Sequence, residues 1–168
     1  SGWSGAPVRV QEDPHPIKGT VLHFGDEPWS AAEVARHAVF TGMEVVVDGT
    51  PCPRQSFVTA QAAHHPDLGC RIEVRESLSE WHREWTRDRY HYGSVLVNFH
   101  GQIVTFDYIP LSERELHYLV DLTGEPTGIR LMLPARTRLV ENGAYKQLML
   151  AIEREAYRFI QRRGHHAL

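Results

Sequence analysis

The chain has 168 residues, 42% of them hydrophobic and 23% charged, with a formal net charge of −3. That length suits one domain, or one domain with a smaller lobe, burying roughly 70% of its unfolded surface. The charge excludes a global field that would steer the protein to nucleic acid or to an anionic membrane, no apolar run reaches the ~18 residues that span a bilayer, and two cysteines, Cys52 and Cys70, are too few for a disulfide scaffold or a structural zinc site.

Ser1 opens the sequence in a Gly/Ser-rich stretch without an initiating Met or a signal-peptide pattern. The expectation is a trimmed chain, or a portion of a longer protein, in a reducing, cytoplasmic setting with no membrane partner. Val8 to Gln11 and Lys18 to Phe24 (KGTVLHF) read as strands. Ser30-Ala31-Ala32-Glu33 fits a capping box: the serine hydroxyl takes the amide three residues on and Glu33 reaches back. The helix it opens is expected to end near His37 or Ala38. Met43 to Val47 is a strand closed by Asp48-Gly49, with a return strand expected over Arg54 to Thr59 after Pro51-Cys52-Pro53. Residues 60–69 read as a linker or exposed loop, and Cys70 to Glu76 alternates like a half-buried strand.

The segment SLSEWHREWTRDRYHYG predicts one or two helical turns and a loop. Val95 to Phe99 and Ile103 to Tyr108 flank His100-Gly101 as a hairpin. Leu116 to Leu122 and Ile129 to Leu133 read as two more strands, separated by Gly124, Pro126 and Gly128. Beyond Asn142, the residues Tyr145, Leu148, Met149, Ile152, Ala156, Phe159 and Ile160 recur at the spacing of one buried helical face, and Gly164 is a stop. Glu153, Arg154, Arg158 and Arg162 take the opposite side. Sheet first and long helix last is an α+β fold, a mostly antiparallel sheet covered by a long C-terminal helix.

Three stretches carry a resemblance. KGTVLHF resembles the G-T-x-V-x-F strand that closes the ATP-binding domain of the GHKL ATPases, the class of gyrase B and MutL. VLVNFHGQIV is similar to the V-x-V-N-G-R-x-V hairpin of the transducer domain that follows there, and RTRLVENGAYKQLMLAIEREAYRFI is similar to that domain's closing loop and helix. The sequence has no Asn-bearing helix, Asp-x-Gly-x-Gly turn or Gly-rich lid. The resemblance therefore implies the end of an ATPase-like domain over residues 1–62 and a transducer-like domain over 68–168. It implies no catalytic residue and no cofactor in this chain; ATP and Mg would belong to the parent protein. Its partner is the upstream ATP-binding domain of that protein, with homodimerisation as a further expectation.

The loop Pro134-Ala135-Arg136-Thr137-Arg138 runs into the last helix, whose free amides and dipole favour an anion. Arg136 and Arg138 would add bidentate contacts. The resemblance assigns a lysine to the terminal phosphate, and Lys146 is the only lysine in this half of the chain. The competing structural reading pairs both arginines with surface carboxylates and leaves Lys146 solvated. Two rivals from other classes stand beside it. Arg83, Arg87 and Arg89, interleaved with Trp81, Trp85, Tyr90 and Tyr92, form a nucleic-acid candidate, although Glu80, Glu84 and Asp88 cancel the local charge. His64, His65 and Asp67 are the densest metal candidate, for a small stand-alone enzyme, with His165-His166 as a second group. No zinc-ligand spacing accompanies them.

Overall fold

A computed structural model describes residues 30–47, 49–86, 94–107, 116–122, 128–134 and 136–163. The strands expected at Val8 to Gln11 and Lys18 to Phe24, and Arg87, Arg89, Gly164, His165 and His166, lie outside the described residues.

Helix α1 (Ala31–Ala38) begins with the expected capping box. The Glu33 amide donates to Ser30 Oγ at 3.2 Å, and the Ser30 amide donates to Glu33 Oε2 at 3.0 Å. These two bonds satisfy donors that a helix start leaves open. Val39 and Phe40, just beyond the helix, are buried. A small hairpin follows, β1 (Val46–Val47) with β2 (Thr50–Pro51). Its return arm was expected at Arg54 to Thr59, and the structure corrects this. Pro51 and Pro53 lack the N–H groups a longer ladder needs. After the Cys52 amide bonds the Val45 carbonyl at 2.8 Å, the chain turns back and the Gln55 amide bonds the Val39 carbonyl at 2.9 Å.

The main sheet has five strands in the order β3-β4-β7-β5-β6: β3 (Ala63–His65), β4 (Cys70–Arg75), β5 (Ser94–Phe99), β6 (Gln102–Asp107) and β7 (His117–Leu122). Every pairing is antiparallel except β5 with β7. Residues 60–69, expected as a loop, contain β3 and a 3-10 turn over Pro66–Leu68. Pro66 starts that turn and Gly69, at φ +57°, ends it, so the reversal is tight enough for β3 to pair with β4. Ile129 to Leu133, expected as a strand, is one arm of an irregular hairpin, joined to the other arm by a single bridge, Leu131 to Leu139. Pro134 and the positive-φ backbone of Arg136 stop that ladder from growing.

Helix α3 (Gly143–Arg162) lies on one face of the sheet. Asn142 caps it, its side-chain oxygen accepting the Tyr145 amide at 2.9 Å. Leu148, Ile152, Ala156 and Ile160 pack on Cys70, Ile72, Val95, Val97, Tyr118 and Val120. Leu148 and Ile152 are completely buried, and each such side chain stabilises the fold by about 1.5–3 kcal/mol. The opposite face is covered as well. Val39, Phe40, Phe57, Val58 and Leu78 close over Leu96 and Leu119. The described part of the segment expected as the end of a preceding domain (1–62) thus packs directly on the sheet of the unit expected at 68–168. Burial on both faces explains the apolar run of β5, whereas β4 alternates.

The 80s segment forms one turn of helix, α2 (Glu80–Arg83), and then a 3-10 turn over Glu84–Thr86. The change of period separates two tryptophans, four residues apart, that a continuous helix would place on one face. Trp85 joins the second core and meets His37 edge-on at 5.4 Å, whereas Trp81 is exposed.

Candidate anion-binding cleft

Arg136, Arg138 and Lys146 are all exposed, and none shares a side-chain ion pair with another described residue. The structure does not gather them into one site. Instead it brings Arg136 to a different pair of basic residues, through two turns that meet at one end of the sheet.

The first turn joins β5 to β6. Phe99 pairs with Gln102, leaving a two-residue loop in which His100 has φ +55° and Gly101 φ +99°. Positive φ at both positions makes it a type I′ turn, whose hand matches the strand twist and whose favoured residues are Asn and Gly. The second turn is the irregular hairpin over residues 130–140. Its arms are joined by Met132 N–H to Arg138 O and Val140 N–H to Arg130 O, both 2.8 Å. Ile129 and Leu139 anchor the arms in the core under α3. The tip is tied back by the Arg136 amide on the Met132 carbonyl at 2.8 Å, and by Gln102 Nε2 donating to the Arg136 carbonyl at 2.7 Å. Asn142 closes the base, donating to the Gly128 carbonyl at 2.8 Å while it caps α3.

Between the turns lies an open cleft of about 640 Å³, lined by Phe99, His100, Gln102, Arg130, Leu131 and Arg136 among others. Among the described residues, its charged or titratable lining is two arginines and a histidine, with no carboxylate. His100 and Arg136 are also the only non-glycine residues with positive φ among the described residues. That conformation costs an L-residue roughly 1–2 kcal/mol, and glycine would avoid it. Two left-handed residues with basic side chains lining one cleft make it the candidate site.

The other expected sites fare differently. Arg83 is exposed on α2, and its expected companions Arg87 and Arg89 are outside the described residues. His64 faces Arg71 and His65 faces Cys70 across the β3–β4 pair, so the two histidines point to opposite sides of the sheet. Among the described residues no group of three His, Cys, Asp or Glu side chains could hold a metal ion. Cys70 is fully buried and burial pushes its thiol pKa up to about 12, far from a reactive thiolate. No helix among the described residues is long and apolar enough to cross a membrane.

Two buried polar residues went unread in the sequence. His82 is 3% exposed and stacks on Phe40, with ring centroids 4.9 Å apart. Its Nε2–H donates to the Phe57 carbonyl at 2.8 Å, and its Nδ1 accepts the Ser79 hydroxyl at 2.6 Å. Burial holds its pKa below the ordinary value and keeps the ring neutral. With both nitrogens engaged, His82 pins α2 to the second layer. Glu155 is equally buried, between Arg158 at 2.6 Å and His65 at 3.3 Å, the latter close enough for electrostatic pairing but not aligned as a hydrogen bond. A carboxylate among Ile152, Ala156 and Phe159 was a readable signal, because that stripe is otherwise apolar. The chain matches no protein-family model, no curated protein and no solved structure.

Proposed function

We propose that this chain is a non-catalytic interaction module that receives an anionic group in the cleft between the His100–Gly101 turn and the 130–140 hairpin. The observation that carries the reading is the pairing of His100 and Arg136, both in left-handed backbone and both lining a cleft with no carboxylate among its described residues. The arginines supply fixed positive charge and forked donors, the chemistry that selects phosphate and carboxylate groups. In the fuller version, the module belongs to a GHKL-type protein and the anion is the terminal phosphate of ATP, held with Mg in an upstream domain. The cleft and the rigid α3 layer would then pass the nucleotide state on to a partner. The phosphate-facing role expected for Arg136, Arg138 and Lys146 narrows to Arg136, joined by Arg130 and His100.

Titration of the chain with pyrophosphate by calorimetry tests this. Binding should weaken as salt rises, because the site is exposed and screened. Arg130→Ala and Arg136→Ala should each reduce affinity about tenfold, the scale of one charge-assisted hydrogen bond. Absence of binding at low salt, or binding indifferent to both substitutions, would overturn the cleft assignment. A coding sequence with no ATP-binding domain upstream would sink only the GHKL version.

The strain argument has its own check. His100→Asn, which suits a type I′ turn, should raise stability by up to about 1 kcal/mol while weakening pyrophosphate binding. Chemical denaturation and the same titration read the two effects. A variant less stable than the parent would show that His100 is there for the fold.

A further inference from the structure

On the other side of the His100–Gly101 turn, a second cleft of about 460 Å³ opens between the sheet and the segments 40–43 and 55–58. Its floor is a row of polar residues on three adjacent strands. Arg71 of β4 faces Asp121 of β7 in antiparallel register, and Asp121 faces Asn98 of β5 in parallel register. Asn98 is fully engaged: its Nδ2 donates to Asp121 Oδ1 at 2.8 Å and to the Phe40 carbonyl at 3.2 Å, and its Oδ1 accepts the Gly101 amide at 2.7 Å.

Arg71 and Asp121 are directly opposed unlike charges, yet no hydrogen bond or ion pair joins them. Facing residues of an antiparallel pair have Cα atoms only about 4.5–5.5 Å apart, so distance does not keep them apart. Each is held by another partner: Arg71 Nη2 donates to the Thr59 carbonyl, and one Asp121 oxygen accepts from Asn98. The second Asp121 oxygen and the other Arg71 N–H groups have no partner among the described residues, and both residues line the cleft. His100 also borders this cleft, and Phe40, Met43, Phe57 and Val58 supply an apolar wall. Burial pushes the Asp121 carboxyl pKa up, partly offset by Asn98, Arg71 and His100, as in a site arranged to meet a donor.

We infer that this cleft binds a small amphoteric molecule with an apolar body, of which a free apolar α-amino acid is the simplest example. Its amino group bonds Asp121, its carboxylate bonds Arg71, and its side chain lies along Phe40 and Met43. A ligand with both charges completes the opposed pair that the protein leaves open. A simple anion leaves Asp121 unmet, and a simple amine leaves Arg71 unmet. A merely structural Asp121, holding Asn98 in place, would require no ligand at all.

Calorimetric titration of the intact chain with each of the standard amino acids decides the matter, with phenethylamine and phenylpropionate as single-charge controls. At least one apolar amino acid should bind, and each control should bind about tenfold more weakly than phenylalanine. Asp121→Asn, which keeps the acceptor for Asn98, and Arg71→Gln should each weaken binding about tenfold or more. Should Asp121→Asn lose its cooperative thermal transition, Arg71→Gln alone carries the test. No amino acid bound at millimolar concentration, equal binding of the single-charge controls, or undiminished binding by the folded variants would overturn the inference. Neither substitution touches Arg130 or Arg136, so pyrophosphate binding is read independently.

Discussion

His82→Ala is expected to destabilise the protein by about 3–5 kcal/mol, from two penalties of similar size. The substitution opens a cavity between Phe40 and Phe57, the rings against which the imidazole packs. It also strips the Phe57 carbonyl of its buried donor. His82→Gln should recover part of the loss by offering an N–H to that carbonyl. The wild-type protein should also lose stability with acid in a defined window. Burial, reinforced by the charge of Arg75, holds the folded-state pKa of His82 below 6.5, against the opposing Phe57 hydrogen bond and Glu73. The unfolded chain therefore takes the proton first, so stability falls as pH drops through about 6.5 until the folded imidazole protonates too. Denaturation midpoints between pH 8 and pH 5, on the order of that window, should drop less for His82→Gln than for the wild type. Parallel slopes for the two proteins would show that other histidines dominate.

Gly101→Ala is expected to cost about 2–5 kcal/mol, combining the strain of a left-handed L-residue with overpacking. A Cβ at Gly101 would lie 2.7 Å from Thr41 Cγ2 and 3.3 Å from Thr41 Cα, and φ there is +99°. Thr41 cannot simply rotate away, because its backbone is within that contact too. Gly101 is the point where the hairpin turn touches the second layer, and its amide anchors Asn98. The substitution should therefore disturb both clefts beside His100, and calorimetry should show weaker pyrophosphate binding as well as a lower denaturation midpoint. Unchanged stability would mean that the turn and the 40–43 segment are not in close contact in solution.

The elements with local signals were readable. Ser30 and Glu33 mark a helix start through bonds made within four residues, and α3 declares itself through a stripe recurring over its whole length. His100-Gly101 marked its hairpin because turn chemistry is local. The arginine loop was readable as a candidate, but the residues that share its cleft were not. Arg130 and His100 reach the cleft from a hairpin arm and a separate turn, and no spacing rule links them to Arg136. Lys146 and Arg138, close in sequence, line neither of the two clefts. Proline misled in both directions. Pro51 and Pro53 held the return arm to Thr50–Pro51 in place of 54–59, and Pro66 set up a turn where a linker or exposed loop was expected.

By itself the sequence determined the class of the fold, the ends of its first helix, the buried stripe of its last and the presence of a basic loop before it. Each depends on contacts between near neighbours or on a period that a helix or strand must display. Only the tertiary structure decided that both faces of the sheet are covered, that β5 and β7 run parallel, and that Asp121 stands between Arg71 and Asn98. It also decided that His82 and Glu155 are buried and that two left-handed residues share one cleft. Those facts arise from strand order and layer packing, which join residues far apart in the chain through non-directional apolar burial, and such burial leaves no mark at any one position.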